Sequence, residues 1–151
     1  MHPAEELRGA KPANLEGFTL MALPYHPIPG TVLVCDYGTG FKPPEMVKKR
    51  LCITVSPRLR RREGLVAVVP LSQTAPYVIE PWHVPLLIDV PYWGGERRWA
   101  ACDMLATVSF HRLDQPHTKN AATGARRHHQ IELSAAIVEE LRAAVRAGLG
   151  V

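Results

Sequence analysis

Three residues in this sequence combine into one recognisable reaction chemistry: Arg50, Ser72 and Asp103. Arg50 follows a basic loop, Ser72 closes an apolar run, and Asp103 stands between Cys102 and Met104 in another apolar stretch. A charge in such a stretch is costly unless it is paired or used. Brought together, the three suit cleavage of an RNA phosphodiester. Asp103 would take the proton of a ribose 2′-hydroxyl. Arg50 would hold the phosphate bidentately and stabilise the extra charge of the transition state. Ser72 would donate a hydrogen bond to a phosphoryl oxygen. RNA carries its own nucleophile, so the scheme calls for no metal or other cofactor. Each residue also has a purely structural alternative: Arg50 and Asp103 as a salt bridge across a sheet, Ser72 as the cap of a turn.

Other chemistries lack their residues. There is no GxxxxGK[ST] phosphate loop, no GxGxxG opening a helix, no HExxH and no GxSxG, and Ser56 precedes Pro57 at a strand end. His128 and His129 are adjacent and flanked by Arg126 and Arg127; on a strand such neighbours point to opposite faces and make a poor metal pair. The three cysteines, Cys35, Cys52 and Cys102, have no CxxC spacing and read as reduced core thiols.

Charge is unevenly spread. The chain carries net +4, yet Lys42 to Arg62 holds eight cations against Glu45 alone, a local +7. Such a run attracts a polyanion such as nucleic acid or an acidic protein tail, or it is simply a solvated face.

The elements that would position these residues are short strands. Thr31–Tyr37, Leu51–Ser56, Leu65–Pro70 and His83–Val90 are rich in β-branched or apolar residues and bounded by Pro and Gly. The unbroken apolar third run predicts burial on both faces. Pro85 marks the fourth as an edge strand or a bulge. Trp99–Phe110 reads as one alternating strand, His111–His129 as a polar and mobile segment, and Gln130–Leu133 as a short last strand. Ser134 N-caps an amphipathic helix whose apolar stripe is Ile137, Val138, Leu141, Ala144 and Val145, ended by Gly148 and Gly150. The order predicts a mostly β fold: a small twisted barrel with one C-terminal helix against its side.

At 151 residues, 46% hydrophobic and 21% charged, the chain suits one globular domain. Residues 1–22 read as a flexible leader and 23–151 as the barrel domain. No apolar run approaches the roughly 20 residues of a membrane helix. The acidic, coreless N-terminus is not a secretory signal, so a cytoplasmic location is expected.

Several segments together resemble the PemK/MazF toxins of bacterial toxin–antitoxin systems. They are Pro29-Gly30-Thr31-Val32-Leu33-Val34, Glu45 five residues before Arg50, Arg50 through Ser56-Pro57, Val68-Val69-Pro70-Leu71-Ser72, and Cys102-Asp103-Met104-Leu105. The resemblance runs from about Pro27 to the end. It implies an SH3-like barrel, a homodimer, metal-independent and sequence-specific cleavage of single-stranded RNA to a 2′,3′-cyclic phosphate, and a cognate antitoxin with an acidic tail. The family's catalytic arginine falls on Arg50, its hydroxyl residue on Ser72 and the acid of some members on Asp103. The chain departs from the common pattern at Leu51 (usually Pro), Ser72 (usually Thr), Met104 (usually Gln) and Ala101 (basic in some members). Under this reading Lys48, Lys49, Arg58, Arg60, Arg61 and Arg62 track phosphates, Tyr37 and Phe41 stack on bases, and His111 and Arg112 reach the RNA. Tyr37 as core and Phe41 as a loop anchor are the structural alternatives. A protein-binding inhibitor of the same fold, like the gyrase poison CcdB, or a degenerate member that binds RNA or antitoxin without cutting, is the alternative function.

Overall fold

The structure, a computed structural model, describes residues 23–58 and 60–151; the expected leader, residues 1–22, lies outside the described residues. Among the described residues nine strands precede one helix: β1 (Val32–Asp36), β2 (Lys49–Thr54), β3 (Leu65–Ser72), β4 (His83–Leu87), β5 (Arg97–Ala101), β6 (Ala106–Ser109), β7 (Leu113–Asp114), β8 (His117–Lys119), β9 (Arg126–His128) and α1 (Ala135–Leu149). The fold is mostly β with a C-terminal helix, as expected.

The main sheet runs β4-β5-β3-β2-β1-β7, with β6 also paired to β3. Its N-terminal half, Leu65–Val68, pairs with β6, while Leu71 and Ser72 pair with β5. This division produces the barrel. β7, β1, β2, β3 and β6 surround Leu33, Cys35, Cys52, Val66, Val68, Val108 and Leu113, all buried. The short link from β6 to β7 carries the chain from the β3 side of the ring to the β1 side.

A second core lies outside that ring. Leu51, Ile53, Val69 and Leu71, which alternate with the barrel-facing residues, meet Val84, Ala100, Leu141 and Ala144 there. β3 is therefore buried on both faces, as its unbroken apolar run predicts, and α1 covers the outer face. The Ser134 hydroxyl accepts a bond from the Ile137 amide at 3.3 Å, and Gly150 ends the helix at φ 77°. Gly148 lies within the helix because a Cβ there would come 3.0 Å from the Asp103 Cα.

Three expectations are corrected. Trp99–Phe110 is not one strand: a 3-10 turn at Cys102–Met104 separates β5 from β6. The alternation reads through the break because Cys102 stays buried while Asp103 turns outward. His111–His129 is not a shapeless polar run. It contains β7 and the β8–β9 hairpin, whose turn is tied by the Asn120 side chain accepting from the Ala122 and Thr123 amides at 2.8 and 3.1 Å. The last short strand is a single bridge, Thr31 to Glu132, flanked by bonds from Val32 to Ile131 and from Leu133 to Gly30. β4 is the edge strand that Pro85 foretells.

Candidate active site

Arg50 sits near the start of β2, opposite Cys35 on β1. β2 and β3 pair with Cys52 against Pro70 and Ile53 against Val69. That pairing ends at Cys52–Pro70, and Ser72, two residues on, pairs instead with Trp99 of β5. Arg50 and Ser72 thus lie just beyond the same end of the paired region, and Ser72 is not among the residues that line the Arg50 cleft.

Arg50 is half-buried, and its Nε is buried without a hydrogen-bond partner. A buried donor left unmade costs about 1–3 kcal/mol, more when charged, so Arg50 calls for an acceptor that the protein itself does not supply. It lines a cleft of about 170 Å³ with Lys48, Lys49, Leu51, Leu71, Gln73, Trp93 and Arg98. Four cations and no carboxylate border this space. Arg98 is fixed: its Nε donates to the Ile88 carbonyl at 3.2 Å and its Nη2 to the Trp93 carbonyl at 2.8 Å. Gln73 donates to the same Trp93 carbonyl at 3.1 Å, anchoring the turn between β4 and β5 as one wall. Burial pulls the Arg98 pKa down from the usual arginine value, with the Asp89 charge opposing it.

Ser72 has the capping role named as its structural alternative, since its hydroxyl accepts from the Thr74 amide at 3.1 Å. That geometry orients the hydroxyl oxygen through one further contact, to the Thr74 carbonyl at 3.4 Å, too long to hold the proton firmly.

A second cleft of about 270 Å³ is apolar and lined by Tyr37, Phe41, Glu45, Met46, Met104, Leu105 and Ala106. The Tyr37 hydroxyl itself is buried against the Cys35 and Cys52 thiols. Burial holds that hydroxyl far above the ordinary tyrosine pKa, the nearby Cys52 and Cys35 thiols push the same way, and Arg50 pulls it back. Arg50 thus lines one cleft and lies near the Tyr37 hydroxyl behind the other.

Asp103 lines neither of these two clefts. It is exposed on the 3-10 turn rather than buried in an apolar strand, so its charge carries no burial cost. Among the described residues no ion pair joins it to Arg50; the pairs are Arg58–Glu63, His117–Asp114 and Arg142–Glu139. The structural salt bridge across the sheet is therefore not formed.

The basic run is divided by the fold. Lys48 and Lys49 stand exposed beside Arg50, whereas Arg58, Arg60, Arg61 and Arg62 lie beyond the other end of β2. Six strand residues separate the groups by about 17 Å. Arg58 borders a different depression, with His26, Glu63 and Phe110. His111 is exposed and follows Phe110, whose amide bonds to Gly64, which places it nearer the arginine turn. Arg112 and Phe41 brace the loop between β1 and β2. The Arg112 guanidinium donates to the Asp36 and Thr39 carbonyls and lies 4.7 Å from the Phe41 ring centre, while Phe41 packs edge-on to Tyr37 at 5.4 Å. Phe41 is thus the loop anchor, with one side open to the apolar cleft.

Sequence reasoning missed Gln73, Trp93 and Arg98 as walls of the site. No spacing signals them, because they converge only through the pairing of β3 with β5.

The fold is thus a small β barrel with a flanking C-terminal helix and a cationic cleft at one end of β2. The profile described as "PemK-like, MazF-like toxin of type II toxin-antitoxin system" matches residues 28–149, and the chain belongs to that family. A MazF crystal structure from Deinococcus radiodurans superposes with a TM-score of 0.59 at 18% identity, covering 84% of this chain and 99% of that one. An endoribonuclease from a mycobacterial species, solved in complex with its cognate antitoxin, superposes at 0.55 and 21% identity, covering 83% and 97%. An uncharacterized protein of Haemophilus influenzae is 31% identical over 103 residues, 59% of this chain and 70% of its own length.

Proposed function

We propose that this chain is the toxin of a toxin–antitoxin pair and a metal-independent, sequence-specific endoribonuclease acting on single-stranded RNA. The observation that carries the reading is the buried, unpartnered Nε of Arg50 in a cleft bordered by four cations and no acid. A phosphate is the complementary ligand: it accepts the orphan bond, and a guanidinium fits it bidentately. The apolar cleft beside Phe41 has the chemistry to take a base.

In the reaction, the ribose 2′-oxygen loses its proton and attacks the adjacent phosphorus. The bond to the 5′-oxygen breaks, that oxygen takes up a proton, and the products are a 2′,3′-cyclic phosphate and a free 5′-hydroxyl. Arg50 neutralises charge growing on the phosphoryl oxygens, and Ser72 donates a hydrogen bond. Asp103 takes the 2′-proton from an RNA that crosses the turn between β5 and β6. That turn packs on β3, the strand that ends in Ser72, and its carboxylate is exposed.

The cationic cleft is also the docking site for an acidic antitoxin tail, which would compete with RNA. The homodimer belongs to the same proposal. Tyr77, Val78, Ile79, Leu87 and Tyr92, in or close to β4 along the chain, are all exposed and offer apolar side chains to a second copy. No helix among the described residues is long and apolar enough to cross a membrane.

The test is cleavage of a long single-stranded RNA in EDTA by the protein and by Arg50→Ala, with fragment ends mapped. Discrete cuts ending in cyclic phosphate, reduced on the order of 10²–10³ in the variant, are expected from loss of one transition-state donor. Intact RNA with the wild-type protein would overturn the nuclease reading and leave the protein-binding alternative. Equal cutting by the variant would remove Arg50 from the mechanism.

A further inference from the structure

Outside the cleft, three potential metal ligands converge. Asp114 ends β7, His117 opens β8 and His128 ends β9. Their donor atoms all lie within 4.8 Å of one another. The Asp114 Oδ2 is buried and makes no hydrogen bond, and the His117 Nδ1 lies 3.6 Å from it. His117 and His128 are direct cross-strand partners, with ring centres 5.6 Å apart.

From these residues we infer that Asp114, His117 and His128 form a binding site for a divalent late transition ion of the zinc type, which clips the β8–β9 hairpin to the main sheet. The donor set is right for such an ion: two imidazoles and one carboxylate suit zinc and its neighbours, whereas calcium and magnesium prefer oxygen throughout. The geometry is close. Tetrahedral zinc, with ligands at about 2.0–2.1 Å, sets their donor atoms about 3.3–3.4 Å apart. The Asp114–His117 separation is already within a few tenths of an ångström of that, and His128 closes the rest by a side-chain adjustment at an exposed position. A fourth position stays open to water.

The placement gives the ion a purpose. β8 and β9 form a two-stranded sheet of their own, three residues per strand, with no ladder to the main sheet. An isolated hairpin of that size is marginal in water. Asp114 belongs to the main sheet through its pairing with Val34, while both histidines belong to the hairpin. One ion would therefore tie the two sheets, fixing Lys119, Arg126 and Arg127 in place. It takes no part in the cleavage proposed at Arg50. The adjacent His129 points elsewhere, with its Nε2 3.2 Å from the Thr118 hydroxyl.

The test is calorimetric titration of the tag-free full chain with zinc, and with cobalt(II) as a spectroscopic probe, beside His128→Ala, Asp114→Asn and the control His129→Ala. One ion per chain is expected. Affinity should fall at least tenfold in His128→Ala and Asp114→Asn and stay unchanged in His129→Ala. His128 is exposed, so its loss leaves the fold standing. Amide-exchange protection across residues 117–128 should rise on adding zinc to the wild type and not to His128→Ala. Absence of binding, or binding equally strong in His128→Ala, would overturn the site. Binding without added protection would overturn the clip.

Discussion

At the scale of single residues, the site turns on one guanidinium with an unmade bond. The Nε of Arg50 is a buried polar atom without a partner, and such atoms are uncommon in folded proteins. Asp103 is a different case. Its carboxylate is in water, so its role depends on where the RNA runs. As the general base, Asp103→Asn should lower the cleavage rate at saturating RNA by on the order of 10²–10⁴ while leaving affinity unchanged. Single-turnover kinetics beside a binding isotherm would measure this, and an unaltered rate would leave Arg50 and Ser72 without that base. Arg50 and Ser72 were legible as candidates in the sequence because Arg50 leads from a basic loop into one apolar run and Ser72 closes another. Arg98 was not legible, because it becomes buried only where β5 meets the turn at Trp93.

At the scale of elements, β2 separates what the sequence joins. The eight cations between Lys42 and Arg62 look like one patch, yet the strand puts Lys48 and Lys49 at the cleft and the arginine turn at its far end. Lys48→Ala with Lys49→Ala should weaken RNA binding and flatten its salt dependence by roughly 1.4 in log–log slope, about 0.7 per phosphate on single strands. Replacing Arg60, Arg61 and Arg62 by Ala should leave the rate at saturating RNA unchanged. Equal loss of rate in both variants, compared in a salt series, would show that the two ends act on one RNA segment near the cleft. The helix is linked to the site through its last turn. Gly148→Ala would press a Cβ onto the Asp103 backbone at 3.0 Å, so a loss of about 1–3 kcal/mol in denaturant unfolding is expected.

At the scale of the whole molecule, two cores share the strands β1, β2 and β3, and the cysteines report on both. Cys35, Cys52 and Cys102 are free and buried, in agreement with the reading of reduced core thiols. Burial, helped by the Asp103 charge, pushes the Cys102 thiol up to about 12. Because the folded state holds this proton more tightly than the unfolded state, Cys102 adds stability below the ordinary thiol pKa. That stability is lost as pH rises towards 12. Unfolding followed from pH 8 upward should therefore show an alkaline decline that is shallower in Cys102→Ala. A decline of the same slope in both proteins would assign it to other groups.

The sequence by itself determined the first four strands, the double burial of β3, an edge or bulge at β4 and the capped C-terminal helix, and several of its segments carried the family resemblance. The elements rest on local pattern, because alternation, β-branching, proline placement and capping depend on neighbours along the chain, whereas the family rests on the resemblance of those segments. Only the tertiary structure decided what meets what. It broke the run at Asp103, because β3 hands its pairing from β6 to β5 there. It divided the basic run, because a strand holds its ends apart. It also joined His128 to His117 and Asp114 rather than to the adjacent His129, because residues next to each other on a strand face opposite ways while cross-strand partners share a face.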